Sequence, residues 1–122
     1  MSRADGNRSW GRYETLFSCM DCKVKHLRIK PKTGMSFQRH FKRQELWFVQ
    51  EGELEIKWCL GDNKNPRTSY FTKKLKKFDW WYVISSNWHQ VINPTDDYTT
   101  VIEVQFGEEC VDDDIERLFY YD

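Results

Sequence analysis

Four polar side chains, spread over separate segments of the sequence, are of the types and spacing that bind a metal ion. Gln38, His40 and Glu45 lie in the stretch SFQRHFKRQELW, and His89 lies much further along the chain. They offer two imidazoles, a carboxylate and an amide oxygen, a mixed set that suits Zn²⁺, Mn²⁺, Fe²⁺, Co²⁺ or Ni²⁺. The set is too hard for Cu⁺ and too rich in nitrogen for a typical Ca²⁺ site. A metal that accepts five or six ligands would still have room for a substrate or water.

Short alternating segments predict the strands that would bring these residues together. Side chains two apart on a strand share a face, so Gln38 and His40 point to the same side of MSFQRHF. ELWFVQ is predicted to return beside that strand, which places Glu45 next to the pair, and a loop leads His89 into HQVIN. Eight or so short strands at regular spacing predict an all-β sandwich or small barrel, and a double-sheet jelly roll can enclose a cavity. The acidic run at 112–114 would suit a short C-terminal helix or a turn.

Length and composition limit the classes of protein to which this chain can belong. With 122 residues, we expect one domain over 1–122. Nineteen basic and nineteen acidic side chains balance, so no global charge favours nucleic acid or an anionic membrane. The sequence has no apolar run of transmembrane length and no apolar signal-like run at the N-terminus, so we expect a cytoplasmic protein with reduced cysteines. Cys19 and Cys22 lack a second pair, which favours free thiols near a turn over a zinc ribbon.

The spacing around the first three candidate ligands resembles the first motif of the cupin superfamily. That motif has a His-x-His pair, then Glu after four residues and Gly after six more. Gln38, His40, Glu45 and Gly52 follow this spacing, with glutamine in the place of the first histidine. The resemblance implies the cupin double-stranded β-helix, a jelly-roll barrel.

The second cupin motif is matched less completely. It ends in a histidine followed four positions later by an asparagine, and His89 and Asn93 fit. The usual proline and glycine are replaced by Ile84 and Ser86, which predicts a loop that is less tightly turned.

Six blocks resemble, in order, the cupin domain of type II mannose-6-phosphate isomerases, which also closes bifunctional mannose-1-phosphate guanylyltransferases. Together they span residues 9–119: SWGRYE, KVKHLRIKP, MSFQRHFKRQELWFVQEGELEI, HQVINP, VIEVQFG and DDDIERL. Lys42 and Leu46 stand where that family has histidines. The set Gln38, His40, Glu45 and His89 avoids both positions, and it also resembles the zinc site of type I phosphomannose isomerases. Zinc is therefore the first candidate for the metal, with manganese, iron, cobalt or nickel as alternatives.

The resemblance implies an aldose–ketose isomerase that interconverts mannose 6-phosphate and fructose 6-phosphate. A metal would polarise the carbonyl oxygen, and cationic donors would hold the phosphate. Arg117 matches the family's Asp-Ile-x-Arg block, and we expect Arg117 and Lys42 to be catalytic residues that contact the substrate. The other expected substrate contacts are Arg43, Trp88 and Glu103.

Two other functions fit the same residues. One is a sugar-nucleotide ketoisomerase or epimerase of the cupin type, some of which use a histidine base and no metal. The other is a carbohydrate-binding cupin that has lost its metal, in which the polar residues bond to one another in a partly wet cavity. Because small cupins commonly pair through exposed strands, we also expect a homodimer.

Overall fold

The computed structural model describes residues 6–122, and every regular element within them is a β-strand. The strands are β1 (Gly6–Arg8), β2 (Gly11–Cys19), β3 (Cys22–Ile29), β4 (Thr33–Gly34), β5 (Phe37–Arg39), β6 (Arg43–Glu51), β7 (Leu54–Cys59), β8 (Phe71–Leu75), β9 (Trp80–Val83), β10 (Trp88–Asn93), β11 (Thr99–Gly107) and β12 (Glu116–Phe119). Residues 1–5, which the single-domain prediction includes, lie outside the described part. Within residues 6–122 there is no helix that could cross a membrane.

The strands form two antiparallel sheets. The first sheet has the order β1-β2-β3-β11-β6-β9, and the second has the order β12-β5-β10-β7-β8, with β4 paired to β10. Several neighbours in these sheets, such as β3 and β11 or β6 and β9, are distant in sequence, as in a jelly roll. The predicted all-β double-sheet fold is confirmed.

Alternation along the strands sets which residues enter the space between the sheets. In β6, Glu45, Trp47 and Val49 are buried, whereas Leu46 and Phe48 between them are partly exposed. The core between the sheets is formed by apolar side chains from several strands: Leu27, Ile29, Met35, Trp47, Val49, Leu54, Ile56, Leu75, Val83, Val91 and Val101. Polar residues on the inward face, such as Glu45, therefore lie next to this core and away from bulk water.

The C-terminal segment forms a turn followed by a strand, and not a helix. β12 pairs with β5, so that Arg117 lies opposite Gln38. Leu118 and Phe119 pack against a second apolar cluster of Phe37, Cys59 and Trp88. Pairing with an available strand edge and the partial burial of Phe119 outweigh the local helical signal of the acidic run.

The loop before β10 is tightly turned, in contrast to the expectation from its missing proline and glycine. Ser86 has φ 73°, in the left-handed region that glycine favours. Its backbone N–H donates to the carbonyl of His40 at 2.6 Å. The loop therefore keeps the turn without glycine and anchors the segment that carries a candidate ligand.

Candidate metal centre and cavity

Three of the four predicted metal ligands converge between the two sheets. His40 follows β5, Glu45 lies on β6 and His89 on β10, and all three are buried. His40 Nε2 lies 3.3 Å from Glu45 Oε2, and His89 Nε2 lies 3.2 Å from Glu45 Oε1. One ligand atom from each residue lies within 4.8 Å of the others. This spacing allows a single cation to contact all three.

The ring orientation of both histidines suits metal binding. His40 Nδ1 donates to the backbone carbonyl of Asp114 at 2.7 Å, and His89 Nδ1 donates to that of Asn87 at 3.3 Å. A carbonyl can only accept, so Nδ1 carries a proton in both rings, and the Nε2 atom of each ring points into the cluster, where a cation would bind it. His89 Nε2 has no hydrogen-bond partner among the described residues. A buried acceptor without a partner is costly, and a cation at this point would satisfy it.

Gln38 lies beside the cluster. Its Nε2 is 3.3 Å from His40 Nε2, and its Oε1 accepts from Ser36 Oγ at 2.6 Å. Rotation of the terminal amide by half a turn would direct the oxygen toward the cluster, because Ser36 Oγ can also accept from the amide nitrogen. Gln38 can therefore serve as the fourth ligand with no change in the backbone.

Arg43 supplies a positive charge inside the same cluster. Its Nε and Nη2 donate to Glu45 Oε2 at 3.1 and 3.0 Å, and Nη2 lies 3.2 Å from His40 Nε2. A third nitrogen, Nη1, donates to the carbonyl of Val111 at 3.2 Å. The guanidinium thus neutralises a carboxylate that has no access to water.

The surroundings set the charge of the two central groups. Burial alone would raise the pKa of Glu45, but its contact with His89 and the nearby His40 and Arg43 hold that pKa well below the usual range. Burial lowers the pKa of His40, against the opposing effect of Glu45. A carboxylate beside a neutral imidazole is the protonation state that binds a divalent metal.

Glu103 lies on β11 and faces the same interior space. It is buried, and Gln105 Nε2 donates to its Oε2 at 3.2 Å. Burial and the nearby Glu45 raise the pKa of Glu103 to about 8. Near neutral pH this carboxyl group is therefore largely protonated and can donate a hydrogen bond.

A cavity of about 250 Å³ lies next to the cluster, between the two sheets. Its wall includes Gln38, His40, Arg43, Glu103 and Arg117. The positive side chains that line it are Arg8, Lys25, Arg43 and Arg117. Trp10, Tyr13, Tyr120 and Tyr121 add aromatic surface. The cavity therefore has room for a small ligand, and its wall favours an anionic one.

Four predicted site residues do not line this cavity: the metal ligands Glu45 and His89, which belong to the adjacent cluster, and the predicted substrate residues Trp88 and Lys42. Trp88 is adjacent to His89 on β10, so its side chain points to the opposite face of the sheet, where it stacks with Phe37. Lys42 is exposed, and its Nζ lies 3.3 Å from Glu109. The positions of Trp88 and Lys42 do not support a contact with a substrate in the cavity, so we leave these two out of the functional proposal.

Asp114 is a site residue that the sequence analysis did not identify. Its two carboxylate oxygens accept from the backbone N–H groups of Phe41 and Lys42 at 3.0 and 2.9 Å. Its own carbonyl fixes the ring of His40. Asp114 belongs to the DDDIERL block. From this block the sequence predicted only a short helix or a turn, and a role for Arg117 at the substrate.

Two further residues hold site groups in place. Ser36 Oγ accepts from Arg117 Nε at 3.2 Å and donates to Gln38, linking the cavity wall to the ligand cluster. Trp47 Nε1 donates to Glu45 Oε1 at 3.1 Å. No spacing rule pointed to Ser36, whereas Trp47 was part of the family-like block without an assigned contact.

Comparison with known proteins identifies the family to which this chain belongs. Residues 2–119 match the family described as mannose-6-phosphate isomerase C-terminal. The alginate biosynthesis protein AlgA of Pseudomonas aeruginosa is 33% identical over 111 residues, covering 91% of this chain and 21% of AlgA. Mannose-1-phosphate guanylyltransferase 2 of Escherichia coli O157:H7 is 29% identical, with 90% and 21% covered. The chain therefore spans about a fifth of the length of these curated relatives.

Solved structures support the fold. Oxalate decarboxylase from Bacillus subtilis superposes with a TM-score of 0.78 at 13% identity, covering 95% of this chain and 30% of that one. The cupin domain of Cnp3 from Schizosaccharomyces pombe gives 0.67 at 11% identity, with 79% and 64% covered. The two predicted resemblances are confirmed: the chain has the cupin fold and belongs to the mannose-6-phosphate isomerase C-terminal family.

Proposed function

We propose that this chain is a metal-dependent sugar-phosphate isomerase that interconverts mannose 6-phosphate and fructose 6-phosphate. The observation that carries the proposal is the cluster of His40, Glu45 and His89. In this cluster the Nε2 atoms of the two histidines face the Glu45 carboxylate, and a cavity lined by cationic side chains lies next to it. The family and the relatives that act in mannose phosphate metabolism agree with a sugar phosphate as the ligand.

The metal ligands in this proposal are His40, Glu45 and His89, with Gln38 as the fourth. Zinc is the first candidate for this nitrogen and oxygen set, although manganese fits it as well. Bacillus subtilis oxalate decarboxylase, which shares the fold, has Mn(II) centres. A bound divalent ion would supply Lewis-acid polarisation of the substrate's oxygen atoms.

Arg117 is the proposed phosphate contact. It lies at the exposed part of the cavity wall, and within residues 6–122 no carboxylate forms an ion pair with it. Arg8 and Lys25 line the same cavity and add positive charge. A guanidinium can hold two phosphate oxygens at once, which would fix the sugar with its reactive end toward the ligand cluster.

Glu103 is the proposed proton carrier. Isomerisation moves a proton between C1 and C2 of the sugar, so one group must take it from one carbon and return it to the other. Glu103 is a buried carboxyl group on the cavity wall that is not needed as a metal ligand. Its pKa of about 8 makes its ionised form a stronger base than an ordinary carboxylate.

The position of Arg43 favours a second candidate, binding of a sugar phosphate without catalysis. The guanidinium already satisfies Glu45 and lies against His40 Nε2. A protein in which this arrangement persists in solution would keep a cationic cavity without needing a metal. Metal content separates the two candidates, because only the isomerase requires a stoichiometric ion.

The proposal is tested by measuring isomerisation of mannose 6-phosphate with the purified chain loaded with zinc or manganese. We expect turnover that is lost in Glu45→Gln, and that falls in Glu103→Gln by about 100-fold or more in kcat. Arg117→Met should act mainly on KM, whereas Lys42→Met should match the wild type. Stoichiometric metal without turnover would contradict the isomerase, whereas a metal-free chain that still binds mannose 6-phosphate would favour the binding protein.

A further inference from the structure

The wall of the cavity contains a buried amide oxygen that has no hydrogen-bond partner. Gln105 lies on β11, lines the cavity and is 2% exposed. Its Nε2 donates to Glu103 Oε2 at 3.2 Å, but its Oε1 accepts no hydrogen bond from any group within residues 6–122. A buried acceptor without a donor costs stability, so its presence needs an explanation.

The side chains nearest to Gln105 on β6 use their donors elsewhere. Glu45 is directly opposite Gln105 and, as a carboxylate, can only accept. Arg43 is a diagonal neighbour on the same face, and its three nitrogens bond to Glu45 and to the carbonyl of Val111. Trp47, on the other diagonal, donates its Nε1 to Glu45. This strand therefore leaves Gln105 Oε1 without a donor.

A ligand in the cavity can supply the missing donor. Lys23, which is opposite Gln105 on β3, does not donate to its Oε1 either. The cationic side chains of the cavity wall, among them Arg117, suit a phosphate group, whereas a neutral amide oxygen suits a hydroxyl group. A sugar phosphate carries both of these groups.

The neighbours of Gln105 place it near the reactive end of the sugar. In the proposed function, Arg117 holds the phosphate on C6, and C1 and C2 react near the metal ligands. Gln105 is paired in register with the ligand Glu45, and it bonds to Glu103, the proposed proton carrier. Side chains that are opposite on one face of a sheet start about 5 Å apart, so Gln105 is close to the reacting carbons. The first hydroxyl group beyond C1 and C2 is the one on C3.

We propose that Gln105 determines specificity, because its Oε1 accepts a hydrogen bond from the C3 hydroxyl of the bound sugar phosphate. A ligand without this hydroxyl leaves a buried oxygen unpaired, and the site therefore binds it more weakly. The inference rests on the proposed function for the class of ligand, but it does not require turnover. Binding of a ligand that cannot react therefore tests it separately from the isomerase activity.

Isothermal titration calorimetry of the purified chain with mannitol 6-phosphate and with its 3-deoxy analogue tests the contact. Neither compound has a carbonyl group, so neither can isomerise. We expect the wild type to bind the 3-deoxy analogue about 10-fold more weakly, which corresponds to the loss of one neutral hydrogen bond. In Gln105→Met, which has a similar volume and no amide, the two dissociation constants should agree within about 2-fold. The 4-deoxy analogue is the ligand control, and its loss of affinity should be the same in both proteins.

Three further variants separate the contact from a purely structural role. Gln105→Asn keeps an amide but is one methylene shorter, so it should also lose the discrimination between the two ligands. Glu103→Gln still offers an oxygen to Gln105 Nε2, so the discrimination should persist although turnover falls. Gln44→Met is the matched control: Gln44 is next to the inward Glu45, so its side chain lies on the outer face of β6, and this variant should behave like the wild type.

The outcomes distinguish this inference from the proposed function. A wild type that does not discriminate between mannitol 6-phosphate and its 3-deoxy analogue would overturn the contact, as would a Gln105→Met variant that still discriminates. A wild type that discriminates between them but does not isomerise mannose 6-phosphate would support the contact and contradict the isomerase.

Discussion

Two nitrogens of Arg43 donate to a single oxygen of Glu45, at 3.1 and 3.0 Å, and the Glu45 carboxylate is only 1% exposed. The same Nη2 lies 3.2 Å from His40 Nε2, an atom that a metal would use. A guanidinium and a metal ion would therefore compete for the same groups. The chain carries its own counter-charge for Glu45, and binding of a metal must displace part of this contact.

Removal of this counter-charge should make the protein depend on a metal. Arg43→Met leaves Glu45 buried without a cation, and we expect the metal-free variant to lose about 3–5 kcal/mol in free energy of unfolding. Added zinc should then stabilise the variant more than it stabilises the wild type, because the ion no longer competes with the guanidinium. Chemical denaturation with and without zinc measures both effects.

The matched control for Arg43 is Lys42→Met. This adjacent cation is exposed and pairs with Glu109 outside the cavity. Its variant should respond to zinc like the wild type. An equal zinc stabilisation in Arg43→Met and the wild type would contradict the competition.

Asp114 should control metal affinity although it is not a ligand. Its carboxylate holds the backbone of Phe41 and Lys42, which fixes the loop that carries His40. Loss of such a supporting contact typically weakens metal binding by about 10- to 100-fold, and we expect this for Asp114→Ala. Competition with a chromophoric chelator gives the affinity.

Asp113→Ala is a control of the same size and charge next to Asp114. Asp113 is exposed, and no hydrogen bond of its side chain is seen within residues 6–122. We expect its zinc affinity to equal that of the wild type. If both alanine variants bound zinc equally well, Asp114 would not position His40.

Ser86 should be a site where glycine is more stable than alanine. Its φ of 73° costs a side chain about 1 kcal/mol, whereas glycine adopts this conformation freely. We expect the free energy of unfolding of Ser86→Gly to exceed that of Ser86→Ala by roughly 1 kcal/mol, less the higher chain entropy of unfolded glycine. Urea denaturation of the two variants decides it, and a more stable Ser86→Ala would show that this loop changes conformation.

Strand periodicity and motif spacing predicted the centre of the site. Gln38 and His40 share a face because strand side chains repeat every two residues, and this rule is independent of the rest of the fold. The same rule could have excluded Trp88, because the residue next to an inward His89 must point outward. Trp88 was predicted as a substrate contact because it is aromatic, without considering that neighbouring strand residues point to opposite faces.

Other features depended on contacts between distant parts of the chain. Asp114 meets the His40 loop only because the C-terminal segment folds back along β5, and the acidic run by itself favours a helix start. Arg43 was predicted at the substrate and lines the cavity, but its contact with Glu45 was not predicted. Local sequence does not determine which partner a long side chain reaches, because several partners compete for it.

The binding of zinc to the metal-free chain, measured by isothermal titration calorimetry, tests the central claim most directly. We predict one ion per chain for the wild type, and no stoichiometric binding for Glu45→Gln or for His89→Phe. Folded wild-type protein that binds no zinc, manganese, cobalt or nickel would contradict the claim, as would stoichiometric binding that survives both substitutions.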